Sequence, residues 1–226
     1  MSRDKLLHPK LEPSLKMLPA GCHIHLLTRH SIREKAASKR VSYKLPLTKE
    51  GVLLAEQWGE LLTWPVESFY SSAVGRCVDT AKAMARGQLT EGSLVDAKSI
   101  NTEDILMEPG SYVSDMALAG PIFNRIGPLR FASQHLSEEI TAGVVSPQAG
   151  AKRFFEYFQA KTGSVNTLSV HVTHDTILAA LVYHLLEVSE ISEDHWPWMM
   201  EGLFIWFDQG FVNWVWRGGH HRRALS

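Results

Sequence analysis

Cysteine is scarce in this chain of 226 residues, which holds Cys22 and Cys77 and no others. Two thiols are too few for a secreted disulfide framework or a thiolate metal cage, and nothing in the sequence pairs them. Excess charge is missing as well. The net value is -1, from 23 basic and 24 acidic residues, so no overall basic field exists to hold nucleic acid or an anionic membrane. Any bound anion must be met locally. Long apolar runs are absent too. Met1-Ser2-Arg3-Asp4-Lys5 and Leu6-Leu7-His8-Pro9 form no h-region, and no later run is apolar enough to span a bilayer, so a cytoplasmic protein is the expectation. No internal repeat occurs. What remains is an ordinary globular composition, 45% hydrophobic and 21% charged, long enough for one α/β domain over residues 1–226.

Residues 1–20 carry Pro9, Pro13 and Pro19 and read as a surface-hugging arm. Ile24, Leu26 and Leu27, framed by Gly21 and a charged loop, predict a core strand over His23 to Thr28. Residues 34–46 read as a basic loop or short exposed helix. Thr48 is a candidate N-cap for a helix through Leu62, stopped by Pro65. Val66 to Ser71 predicts a buried strand, and Val74 to Arg86 a helix ending at Gly87 as a C′ glycine. Residues 88–145, broken by Pro109-Gly110, Gly120-Pro121 and Gly127-Pro128, show no sustained period and read as an insertion capping the site. Ser146-Pro147 opens a helix running to Gly163. Leu168 to Thr173 predicts a third strand, followed by a helix from His174-Asp175 with a wide apolar stripe. The segments Leu203–Phe207 and Phe211–Trp216, joined by Asp208-Gln209-Gly210, predict a β-hairpin.

Three strand-to-helix junctions carry charge: Arg29-His30-Ser31-Ile32-Arg33, Ser71-Ser72-Ala73-Val74-Gly75-Arg76, and His174-Asp175. In a parallel α/β sheet such junctions meet at the carboxyl edge, where ligands bind. Converging cationic donors are costly to bury without a counter-anion, so the set points to a phosphoryl group met by His30.

Leu27-Thr28-Arg29-His30-Ser31-Ile32-Arg33 resembles the L-x-R-H-G-x-R signature of the histidine phosphatase superfamily, and Leu47-Thr48-Lys49-Glu50-Gly51 resembles its L-T-x-x-G helix start. Tyr70-Ser71-Ser72-Ala73-Val74-Gly75-Arg76-Cys77-Val78-Asp79-Thr80-Ala81 is similar to its Y-S-S-x-x-x-R-x-x-x-T-A segment, and Val172-Thr173-His174-Asp175 to its second histidine. The order is also the family's. The resemblance implies the phosphoglycerate mutase-like fold, a three-layer α/β/α sandwich with a mostly parallel sheet. His174-Asp175 and the terminal aromatic hairpin resemble the acid phosphatase and phytase branch, for which this chain is short, so its cap should be small.

The implied chemistry is metal-independent and cofactor-free hydrolysis of a small phosphorylated substrate. Neutral His30 attacks phosphorus to give a phosphohistidine, and Arg29, Arg33, Arg76 and His174, which adds another cation if protonated, hold the phosphate oxygens. Asp175 is the expected proton donor, with Glu108 its rival because mutase-like relatives use a glutamate from the middle segment. Ser31 stands where the family has glycine. That departure keeps a catalytically weak phosphate-binding module as an alternative, beside a phosphotransferase or mutase. His23 and His25 form an H-x-H pair too weak to predict a metal site, and one of them is expected to support His30. Ser71 and Ser72 read as helix caps. Trp196, Trp198, Trp206, Trp214 and Trp216 read as packing residues, and Lys35, Lys39 and Arg40 as a solvated face.

Overall fold

A computed structural model describes residues 6–35, 43–88, 99–108 and 110–225. In chain order its elements are α1 (Leu11–Leu15), β1 (His23–Arg29), α2 (Lys49–Leu61), β2 (Val66–Ser71), α3 (Gly75–Gly87), β3 (Ile100–Thr102), α4 (Met116–Ile126), α5 (Pro128–Leu136), α6 (Pro147–Ala160), β4 (Thr167–Thr173), α7 (Asp175–Leu185), β5 (Gly202–Asp208), β6 (Phe211–Trp216) and β7 (Gly219–Ala224). The strands form one sheet in the order β3-β2-β4-β1-β5-β6-β7. Neighbours among the first four are parallel, and β5, β6 and β7 add antiparallel pairs.

Alternation along the strands sends side chains to two helical layers. Ile24 and Leu26 of β1, Leu168, Val170 and Val172 of β4, and Phe204 of β5 pack with α1, α2 and α3. Leu27, Leu203, Ile205 and Val212 pack on the other face with α6 and α7. The result is a three-layer α/β/α sandwich with its parallel strands in the middle. The arm carries α1, whose Leu11 and Leu15 are buried in the first layer.

Thr48 caps α2 by accepting the Gly51 N–H at 2.9 Å, and Ser146 caps α6 by accepting the Ala149 N–H at 3.2 Å. Gly87 is not a C′ glycine. It lies inside α3, where a Cβ would fall within 3.0 Å of the Glu56 carbonyl oxygen, and Gly59 of α2 bears the same relation to Met84. The two helices meet backbone to backbone, and these glycines permit it.

The 88–145 segment is more regular than its sequence suggests. β3 extends the sheet, and α4 and α5 pack on each other through Ala119, Phe123 and Phe131. The Gly127-Pro128 break separates these two helices, and Pro121 lies inside α4. The terminal pair is also a three-stranded unit, because β7 follows β6 through a turn at Arg217 and Gly218. Residues 36–42, which include Lys39, Arg40 and most of the expected basic loop, lie outside the described residues. Lys35 is exposed. Among the described residues, no helix is long and apolar enough to cross a membrane.

Candidate active site

The three predicted junctions converge. β1, β2 and β4 run in parallel, so Arg29-His30, Ser71-Ser72 and Thr173-His174 leave the sheet at one edge. Backbone bonds tie the exits together: the His30 N–H donates to the Thr173 carbonyl at 2.9 Å and the Ser72 N–H to the Val172 carbonyl at 3.0 Å. β3 adds a fourth exit. Its chain continues through a short 3-10 helix at Asp104–Leu106, anchored by the Thr173 hydroxyl on the Leu106 carbonyl at 2.7 Å, and delivers Glu108.

Arg76 stands at the centre. It is buried on the first turn of α3, with Nε donating to His30 Nε2 at 2.9 Å and Nη2 to His174 Nδ1 at 3.0 Å. An arginine only donates, so both ring nitrogens facing it are acceptors. His30 Nδ1 therefore carries the proton and donates to the Ser31 carbonyl at 2.8 Å, leaving the Nε2 lone pair turned into the site. His174 Nε2 correspondingly donates to Ser72 Oγ at 3.1 Å. Both imidazoles are neutral. Burial, then Arg29, Arg76 and His174, pushes His30 well below its ordinary 6.5, and burial with Arg76 lowers His174 to about 3. Facing the Arg76 guanidinium, His174 adds no second charge to the site.

The two carboxyl groups occupy opposite environments. Asp175 Oδ2 pairs with Arg29 Nη2 at 2.7 Å and accepts from Trp196 Nε1 at 3.3 Å, while Oδ1 accepts the Thr176 N–H at 2.9 Å. Burial alone would raise this carboxyl, but Arg29 foremost draws it down to about 2. Glu108 has its Oε2 3.9 Å from His174 Nδ1 and accepts the Thr176 hydroxyl on Oε1, with the side chain 11% exposed. Burial and the nearby Asp175 push it up to about 7. Of the two, Glu108 is the one that holds a proton near neutrality.

Arg29 also donates to the Pro197 carbonyl through Nη1. Arg33, half-buried, donates to the Glu34 carbonyl at 3.0 Å, and burial followed by Arg76 lowers its pKa. All the predicted site residues therefore gather at one sheet edge, with Arg33 at the periphery.

Ser31 is fully buried and is not among the residues with positive φ. Its hydroxyl donates to the Gly51 carbonyl at 2.7 Å, and its N–H donates to Thr80 Oγ1 at 3.0 Å. A glycine is not needed here for a left-handed backbone, and the serine hydroxyl is engaged by α2. Gly51 explains the helix-start motif, because a Cβ on it would fall within 3.0 Å of the Ile32 carbonyl oxygen. Thr80 explains the T-A pair: one turn after Arg76, it donates to the Arg76 carbonyl at 2.7 Å while accepting from Ser31.

Two expectations change. Neither His23 nor His25 supports His30. His23 bonds Thr167 and Ser169, and His25 Nδ1 meets His171 Nε2 at 3.2 Å, with His171 Nδ1 on the Tyr157 hydroxyl at 2.9 Å. β1 alternation puts both on the α6 face, away from the sheet edge. Among the described residues no group of three or more His, Cys, Asp or Glu side chains is placed to hold a metal ion. Ser72 does more than cap, since it orients His174 while accepting the Val74 N–H at 3.2 Å. Trp196 and Thr176, which hold the two carboxyl groups, carry no signal in the sequence. Cys22 and Cys77 are both free thiols, and burial pushes Cys77 up to about 12.

No protein-family model matches the sequence, and no curated protein does. Solved structures match the fold. A phosphoserine phosphatase variant from Entamoeba histolytica in complex with phosphoserine superposes with a TM-score of 0.57 at 16% identity, covering 90% of this chain and 95% of that one. A mycobacterial glucosyl-3-phosphoglycerate phosphatase complexed with VO3 gives 0.56 at 16% identity, with 86% and 98% covered. A phosphoglycerate mutase from Bacillus anthracis str. Sterne gives 0.54 at 13% identity, with 91% and 93% covered. This chain has the phosphoglycerate mutase-like fold of those structures.

Proposed function

We propose that this chain is a metal-independent phosphomonoesterase of the histidine phosphatase superfamily, working through a phosphohistidine on His30. The observation that carries it is the Arg76 bridge, which fixes both histidine tautomers and leaves the His30 Nε2 lone pair facing the site. A phosphate seated against Arg76 takes over those N–H donors and uncovers the nucleophile. Nε2 then forms a bond to phosphorus as the ester P–O bond breaks. Arg76, Arg29, Arg33 and His174 meet the oxygens.

Glu108 gives its proton to the departing oxygen, and its carboxylate then takes one from the water that cleaves the P–N bond and releases phosphate. This role passes to Glu108 from Asp175, whose carboxylate is held ionised by Arg29 and serves to position that guanidinium. A donor from the segment after β3 follows the mutase-like plan, which leaves the acid phosphatase and phytase reading resting on His174-Asp175 and the terminal hairpin. Ser31 supports turnover over mere binding, because its hydroxyl braces the His30 loop against α2. α4 and α5, which line a cavity shared with Glu108, form the small cap.

Phosphoramidate, which carries no alcohol, tests the covalent step in the presence of chelator. The wild type is expected to acquire an acid-labile, base-stable phosphoryl label and His30→Ala none; equal labelling sinks the reading. The pH profile tests the donor. A proton donor works only while protonated, so kcat falls as pH rises through about 7. Asp175→Asn should keep that limb and Glu108→Gln should abolish it.

A further inference from the structure

A cavity of about 230 Å³ meets the site at Glu108 and Thr176. Its walls come from α4, α5 and α7, and are mostly hydrocarbon: Met116, Phe123, Phe131, Ala132, Ile177 and Ala180 contribute. No lysine or arginine is among the described residues that line it. His135 is also in the lining; burial lowers its pKa, against the opposing pull of its 2.9 Å hydrogen bond to the Val145 carbonyl.

That lining selects by exclusion. An alcohol bearing a carboxylate would meet no counter-charge from the described lining and would face the carboxyl of Glu108. The polar atoms of Tyr43, Tyr112 and Asn124 interrupt the hydrocarbon, too few to satisfy every hydroxyl of a polyhydroxylated alcohol buried there. An apolar ring regains free energy from every wall it covers. Position supplies the direction. The group that protonates the departing oxygen must touch it, and Glu108 lines the cavity, so the carbon attached to that oxygen points inward.

Resting on the phosphatase reading above, we propose that the substrates are phosphomonoesters of apolar, ring-bearing alcohols seated between α4, α5 and α7, and that esters of small charged alcohols are discriminated against. The cavity is below the roughly 300–1,000 Å³ typical of drug-sized pockets, which suits one or two rings.

Comparing kcat/KM for 2-phenylethyl phosphate, ethyl phosphate and phosphoserine tests this with no leaving-group bias towards the ring, because all three are primary alkyl esters and serine, whose ammonium group makes its hydroxyl the most acidic, departs most easily. The expected preference for the phenylethyl ester over both others is at least about 30-fold. Equal or faster turnover of phosphoserine overturns the proposal. A second measurement uses Gly120→Leu on α4. A Cβ at Gly120 meets nothing nearer than Met116 Cε at 3.7 Å, so the new side chain has room to enter the cavity. It should lower the phenylethyl-to-ethyl ratio about tenfold; an unchanged ratio also overturns the proposal. Phosphoramidate labelling separates the two readings. Labelled His30 without ring preference refutes this inference alone, whereas absence of label takes both down.

Discussion

Ser31 and Glu108 are the residues on which the sequence and the structure differ most usefully. As a substitute for glycine, Ser31 reads as a flaw in a phosphate loop. In the folded chain it has an ordinary backbone, and its hydroxyl bonds the Gly51 carbonyl. Ser31→Gly should therefore not raise kcat/KM. It should cost about 1–2 kcal/mol in urea unfolding, from a lost buried hydrogen bond and added chain freedom. A faster glycine variant would revive the view of Ser31 as an impairment. Glu108 gives a test of opposite sign. Its pKa rises on folding from 4.5 to about 7, so its contribution to stability is fully present below 4.5 and is lost as pH climbs through 7. Glu108→Gln keeps the site uncharged. Its melting temperature relative to wild type should improve between pH 5 and pH 8, while kcat drops about 100-fold or more. Which carboxyl holds the proton was not legible in the sequence, since the answer depends on Arg29 reaching Asp175 across the sheet edge. The membership of His30, Arg76, His174 and Asp175 was legible, because each sits at the end of a strand whose apolar run announces it.

At the scale of elements, three glycines along α2 and α3 look alike in sequence and differ in what they touch. Gly59 and Gly87 let the two helices approach, whereas Gly51 lets α2 approach the His30 loop at Ile32. Gly59→Ala and Gly87→Ala should each cost about 1–3 kcal/mol by overpacking, with kcat unchanged in the folded fraction. Gly51→Ala should cost stability and kcat together, because the atom displaced belongs to the loop that holds His30. Equal kcat across all three would mean that the loop is indifferent to α2. The same contacts explain what patterning revealed. β1, β2, β4, α2, α3, α6 and α7 carry their own periodicity, and α2 and α6 their own side-chain caps. α4 has a cap, Asp115 accepting the Ala117 N–H at 2.8 Å, but Gly120-Pro121 interrupts its middle. β7, Gly-His-His-Arg-Arg-Ala, is made a strand by its neighbours: His220 stacks on Trp206 at 5.3 Å, His221 on Trp214 at 5.3 Å, and Arg222 lies over Phe211 at 3.7 Å. Such pairings exist only once β5 and β6 are in place.

Across the whole molecule, neutral histidines are built into both the site and the sheet. His30 and His174 are held neutral around Arg76, and His25 and His171 face each other between the sheet and α6, with burial lowering His25 to about 3 and His171 well below 6.5. All four lie on β1, β4 or the exits of those strands, so their titration is linked to the centre of the fold. The sign follows from the direction of the shifts. Above 6.5 these histidines are neutral folded or unfolded; below it the unfolded chain takes up protons that the native state refuses. The contribution of these four histidines is therefore full above about 6.5 and falls progressively towards pH 3, opposite in sign to that of Glu108. Each such group adds a slope of about 1.4 kcal/mol per pH unit once the unfolded chain is protonated. Urea unfolding between pH 7 and pH 5 should show this loss. The double variant His25→Leu/His171→Leu removes two such groups together with their mutual hydrogen bond, and should lower the slope between pH 6 and pH 5 by about 2–3 kcal/mol per pH unit. A slope unchanged in the double variant would mean that the buried pair accepts protons in the folded protein and that the acid sensitivity arises elsewhere.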